Sequence, residues 1–235
     1  MKHDKELTML QLSQMKEALQ TFPRDYMSDF DSFWKWKAER ESADGRILDD
    51  DHLGEAYWKL RGILGRWQYF RSGGGYVHDP GRTLGHSLRA MADAYSRIRE
   101  HTLLEFGDVP NQPLRSIWHE LGRVKEYDGS PNDWGDYSVI SICKPLMLLW
   151  GQTPAFDSKV RGHLPWGYDV SKYKYRWTFE DWKTVMTLLH GDLTDNEELV
   201  DFMKIESLRR YGTEAAIPYG RFLDIYYWAS RPEYV

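Results

Sequence analysis

The residues best suited to chemistry lie in one stretch, Ser141-Ile-Cys-Lys-Pro-Leu-Met-Leu-Leu-Trp-Gly-Gln-Thr-Pro-Ala-Phe-Asp-Ser-Lys-Val160. Here a single lysine, Lys144, sits in an almost wholly apolar segment, and Pro154-x-x-Asp157 follows it. A charge in such surroundings must be paired, reach water through a cleft, or lose its proton. Lys144 and Asp157 are therefore the candidate site. An amine and a carboxylate beside a core have the types that nucleophilic or acid–base work requires. A purely structural reading fits the same residues. Asp157, followed by Ser-Lys-Val-Arg, can cap a helix, and Lys144 can lay its stem on the core and set its ammonium at the surface or on a carboxylate such as Asp157 or Asp224.

The elements that must position these two residues read as helices. Leu7, Leu10, Leu12, Met15, Ala18 and Leu19 keep a helical spacing that stops at Pro23. Asp25 is placed to cap a second helix with Met27, Phe30, Phe33, Trp34 and Trp36 on its apolar side, ended by Ala43-Asp-Gly45. Asp49-Asp-Asp51 sets negative charge at the start of a third, which the spacing carries to about Arg71. A fourth runs from about Thr83 to Leu104 and a fifth from Pro113 to Glu126. Beyond the apolar centre, helices are predicted at about 179–190, 194–210 and 218–230, with Thr194 and Glu197 in capping-box spacing. With no βαβ alternation and no fixed repeat, the fold is predicted to be all-α, a short extended or hairpin stretch near 166–178 apart.

A chain of 235 residues without a Ser/Gly/Pro-rich divider is expected to form one domain, with room for an N-terminal helical lobe over 1–72 and a core over 80–235. No apolar run approaches the roughly 20 residues that span a bilayer. The opening Met-Lys-His-Asp-Lys-Glu lacks the apolar block of a signal peptide, which predicts a cytoplasmic protein and no membrane partner. The single cysteine, Cys143, has no partner for an intramolecular disulfide and reads as a buried thiol.

The net charge of -5 argues against indiscriminate nucleic-acid binding, but the charge is unevenly spread. Arg24 to Glu55 holds ten acidic residues against five basic, whereas Lys59 to Arg89 holds six basic residues and only Asp79 as an acid. A second basic stretch, Ser158 to Trp177, carries Lys159, Arg161, Lys172, Lys174 and Arg176 against Asp169. Within it Trp166, Tyr168, Tyr173 and Tyr175 interleave with the cations, the mixture that a single-stranded or splayed-base contact surface requires. Read structurally, the same stretch is a hairpin or an edge with tyrosines inward and lysines outward. The other aromatic residues, in a chain with 11 Trp and 15 Tyr, are expected to fill volume between helices.

Several motifs carry no function. Ser72-Gly-Gly-Gly75 lacks the Gly-Lys-Ser/Thr of a phosphate-binding loop and follows a helix rather than a strand. His78, His86, His101, His119, His163 and His190 are too scattered for a metal site, so neither metal nor cofactor is expected. Ser141 and Ser158 have no nucleophile elbow around them.

Ile142-Cys-Lys144, the apolar run after it, Thr153-Pro-Ala-Phe-Asp157 and the late Arg221-Phe-Leu-Asp-Ile-Tyr-Tyr-Trp228 together resemble the helix-hairpin-helix superfamily of base-excision DNA glycosylases. The resemblance is local, around residues 141–164 and 218–230. In that superfamily a Ser/Thr-Lys-x-Leu helix precedes a Pro-x-x-Asp turn whose aspartate starts the next helix. The resemblance implies that Asp157 stabilises positive charge on a sugar or orients a water, and that Lys144 is the amine that forms a Schiff base in bifunctional members. It also implies DNA or RNA as partner, with Arg161, Lys172, Lys174 and Arg176 on phosphates and Trp166 or Tyr173 stacking. The pattern departs in three places: Trp134-Gly-Asp-Tyr-Ser-Val-Ile140 stands where a Gly-x-Gly hairpin belongs, Lys144 is closer to Asp157 than the nucleophile usually is, and Pro145 follows it directly. Two other functions fit the chain. One is a non-catalytic helical interaction or regulatory module with a protein partner; the other is an enzyme acting on a small nucleotide or sugar.

Overall fold

The computed structural model describes residues 10–42, 46–70, 80–126, 137–164, 175–212 and 215–229. Among them are α1 (Leu12–Thr21), α2 (Arg24–Ser42), α3 (Asp50–Arg66), α4 (Pro80–Ala90), α5 (Ala92–Ile98), a 3-10 helix (Leu103–Asp108), α6 (Asn111–Glu126), α7 (Val139–Trp150), α8 (Ser158–His163), α9 (Phe179–Thr194), α10 (Glu197–Tyr211) and α11 (Tyr219–Ala229). The two short strands β1 (Tyr137–Ser138) and β2 (Arg176–Trp177) pair antiparallel, Tyr137 opposite Trp177 and Ser138 opposite Arg176. The fold is all-α. No helix among the described residues is long and apolar enough to cross a membrane.

The apolar segment singled out in the sequence is the central helix. Ten residues of α7 are buried, leaving only Ile140 and Lys144 partly open, one turn apart on a single line. A helix apolar all round has no solvent face and must be enclosed; α2, α3, α6 and β1 pack around this one. Alpha-11 lies against α1 and α8, and α9 against the 3-10 helix and α10. The β1–β2 ribbon ties the start of α7 to the start of α9, and Val139 N–H continues it by donating to the Tyr175 carbonyl at 2.9 Å. One hydrophobic cluster runs from Leu10 to Tyr227.

Three boundaries differ from the sequence expectation. The long fourth helix is two, because Met91 takes φ -94° and ψ 0° between α4 and α5. Apolar spacing through Leu88, Met91 and Tyr95 continues across the kink, so the sequence reads as one run. Alpha-10 is capped by Asn196, whose Oδ1 accepts from Leu199 N–H at 3.1 Å, while Thr194 is still the last residue of α9. Alpha-3 stops at Arg66. Its end is a Schellman turn: Tyr69 N–H reaches the Leu64 carbonyl, Gln68 N–H reaches that of Gly65, and Gln68 takes φ 58°. A glycine normally fills that left-handed position, and the nearest glycine run, Gly73 to Gly75, misplaces the stop. The Ser72–Gly75 turn, the Ala43–Gly45 stop and the loop at 128–135 lie outside the described residues.

Candidate functional site

Alpha-7 carries Lys144 and, directly after it, Pro145. A proline inside a helix removes one N–H and leaves the carbonyl four residues earlier without its partner. That carbonyl, on Ser141, is buried, and Tyr69 Oη donates to it at 2.7 Å. The Schellman end of α3 thus turns Tyr69 under α7 to repair the break that Pro145 makes. The same turn leaves the Trp67 carbonyl free of helical bonding, and Lys144 Nζ donates to it at 3.3 Å. One helix end answers two irregularities of α7.

Alpha-7 ends at Gly151, whose φ of 73° suits a residue without Cβ. The turn from Gly151 to Asp157 follows, and residues 151–156 are buried. Its backbone and side chains are held from elsewhere in the chain. Gln152 Oε1 accepts from Leu103 N–H at 2.8 Å, and Gln152 Nε2 donates to the Ile217 carbonyl at 2.8 Å. Ala155 N–H donates to Asp224 Oδ1 at 2.9 Å, and Arg161 Nη1 donates to the Phe156 carbonyl at 2.6 Å. Phe156 itself has φ 50°. Phe156 and Gln68 are the non-glycine residues with positive φ among those described, and they flank Asp157 and the acceptor of Lys144 respectively.

Asp157 is the N-cap of α8. Its Oδ1 accepts from both Lys159 N–H at 2.9 Å and Val160 N–H at 3.0 Å, and among the described residues no hydrogen bond ends on Oδ2. Lys144 forms no ion pair with Asp157 or Asp224. Burial lowers its pKa from the ordinary lysine value, opposed by the negative charges of Asp157 and then Asp224. Asp224 is instead the partner of Arg221, whose Nη1 donates to Asp224 Oδ2 at 2.7 Å. Burial raises the Asp224 pKa to about 6 against the pull of Arg221, with the Asp157 charge adding to the rise and the Ala155 N–H and Lys144 opposing it. Arg221 Nη2 donates to the Tyr26 carbonyl at 3.1 Å, and the guanidinium lies over the rings of Phe22, Phe30 and Trp67.

The remaining sequence candidates are divided. Arg161 is buried and turned inward onto Phe156, its Nε without a partner and its pKa lowered by burial. Arg176 is half-buried in β2. Trp166, Lys172, Tyr173 and Lys174 lie outside the described residues. Cys143 is buried, and burial raises its thiol pKa far above the ordinary value, as expected of an inert thiol. No group of His, Cys, Asp or Glu able to hold a metal occurs among the described residues. Sequence reasoning missed Arg221, Gln68 and Phe156. Arg221 had a signal, an Arg-x-x-Asp pair one turn apart in an otherwise apolar helix; the two left-handed residues had none.

Compared with models of protein families, curated proteins and solved structures, the chain matches none.

Proposed function

We propose that the protein engages nucleic acid and carries out glycosylase-like base excision at Asp157 and Lys144. One observation carries this reading: each of the two groups keeps bonding capacity that no described residue takes up. A capping aspartate spends one oxygen on the helix start, and Asp157 Oδ2 remains for a water or for the positive charge that grows on a sugar as its base departs. A structural lysine in a core pairs with a carboxylate. Lys144 has Asp157 and Asp224 within electrostatic reach and pairs with neither, and the depression of its pKa raises the fraction of neutral, nucleophilic amine. Strained residues beside both groups further support a site, since such conformations gather where geometry serves chemistry.

The test is a gel-shift and strand-cleavage assay on single-stranded, duplex, mismatched and abasic oligonucleotides. Wild type should bind in a salt-dependent way and release a base or nick the strand, with Asp157→Asn and Lys144→Ala folded but inactive. Absence of binding at low salt sinks the proposal.

A second reading, a non-catalytic interaction module, draws on α10. Ile205 and Leu208 are 67% and 52% exposed, one turn apart on the same helix. Concentration-dependent association without nucleic acid, abolished by Ile205→Lys, would favour it.

A further inference from the structure

Between the 3-10 helix, the start of α6 and one face of α9 lies a cavity of about 70 Å³. Lys183, Thr187 and His190 line it at helical spacing from α9, facing the apolar wall of Phe106, Val109 and Leu114. None of these residues takes part in the Lys144 and Asp157 site.

The polar lining is one-sided. Lys183 is half-buried and forms no ion pair or side-chain hydrogen bond among the described residues. Its neighbour one turn earlier, Glu180, is held by Arg115 rather than by Lys183. His190 Nδ1 lies 2.9 Å from the Leu103 carbonyl. A carbonyl only accepts, so Nδ1 carries the proton and Nε2 is the ring's open nitrogen. Asn111, also on the lining, begins α6, whose first turn adds partial positive charge. Among the described residues Lys183 is the one formally charged side chain on the wall, and none of them supplies it an anion.

Size and polarity narrow the occupant. The volume holds several waters but not a nucleotide or a sugar. A phosphate would need more donors than one lysine and a histidine, and would set charged oxygens against Phe106, Val109 and Leu114. We propose that the cavity binds a short aliphatic monocarboxylate, its carboxylate on Lys183 and its hydrocarbon on the apolar wall.

An NMR titration of the full chain with sodium butyrate tests this, with butyramide and inorganic phosphate as comparison ligands. Butyrate should saturate shifts of the Gly107, Asn111 and Lys183 amides at millimolar concentration, as so few non-hydrogen atoms permit. Butyramide, the same shape without the charge, should bind at least roughly tenfold more weakly, as a lost charge-assisted bond implies. Lys183→Met should abolish the saturable shifts while Lys183→Arg retains them. Non-saturating shifts, equal binding of butyramide, phosphate binding as tight as butyrate, or undiminished binding by Lys183→Met would each overturn the proposal.

Discussion

Arg221 and Asp224 form a buried ion pair one turn apart on α11, with side chains only 3% and 5% exposed, and Asp224 holds the turn that ends in Asp157 through Ala155 N–H. Its pKa of about 6 exceeds the unfolded value of 3.8, so the folded state binds this proton more tightly than the unfolded chain does. The stabilising contribution is fully present below about pH 4 and is lost as pH rises through 6, about 3 kcal/mol in all. Urea titrations of wild type and Asp224→Asn across that window isolate the effect from other carboxylates. Their stability difference should move in favour of wild type as pH falls from 7 to 4; a constant difference contradicts the assignment.

Tyr69 and Pro145 should be thermodynamically coupled. Tyr69→Phe leaves the buried Ser141 carbonyl without a donor and should cost about 1–3 kcal/mol. In a Pro145→Ala background the helix supplies its own N–H, and the same change should cost much less. A double-mutant cycle by chemical denaturation reads the coupling, and strict additivity would mean that the hydroxyl does not repair the helix.

Gln68→Gly should stabilise the protein by roughly 0.5–1 kcal/mol, since a left-handed residue with a Cβ is replaced by one without, at an exposed position. A thermal melt that shifts downward refutes it.

Gly220 shows the opposite sensitivity. A Cβ there would fall 2.2 Å from the Gln152 carbonyl carbon and the Thr153 nitrogen, both backbone atoms with no room to retreat. Gly220→Ala should cost about 3 kcal/mol or more, as overpacking against rigid neighbours does. A wild-type denaturation midpoint for that variant would show that α11 can move away from the turn.

Lys144→Met should leave stability unchanged or raise it. Burial disfavours the charged amine, so the ammonium form is a cost that an apolar side chain of similar length removes. Loss of more than about 1 kcal/mol in a denaturant titration would assign Lys144 a structural role instead.

Helix existence was readable from apolar spacing because that spacing records which faces are buried, and α1, α6, α9 and α11 follow it closely. Boundaries were readable only where the residue type matched the geometry. Pro23 stops α1 on schedule, whereas the left-handed end of α3 uses Gln68 and escaped notice. Asp157 was legible as a helix start because the Pro-x-x-Asp pattern is local. The partners of Lys144 were not, since its acceptor is a backbone carbonyl 77 positions away that carries no side-chain signature. The same holds for Asp224, whose ties join Ala155 and Arg221 rather than the lysine that its type suggested.

The turn from Gly151 to Asp157 has one more consequence, for the order of assembly. Its holding bonds span sequence separations of 49, 65 and 69 residues, to Leu103, Ile217 and Asp224. Closing such distant contacts is entropically slow, and a chain still lacking α11 has no Asp224 to offer. Helices α3, α4, α6 and α7 can collapse on one another first, while the turn before Asp157 is held only once α11 docks. During synthesis the docking of α11 is therefore the step that brings Asp224 to Ala155 and holds the turn leading to Asp157.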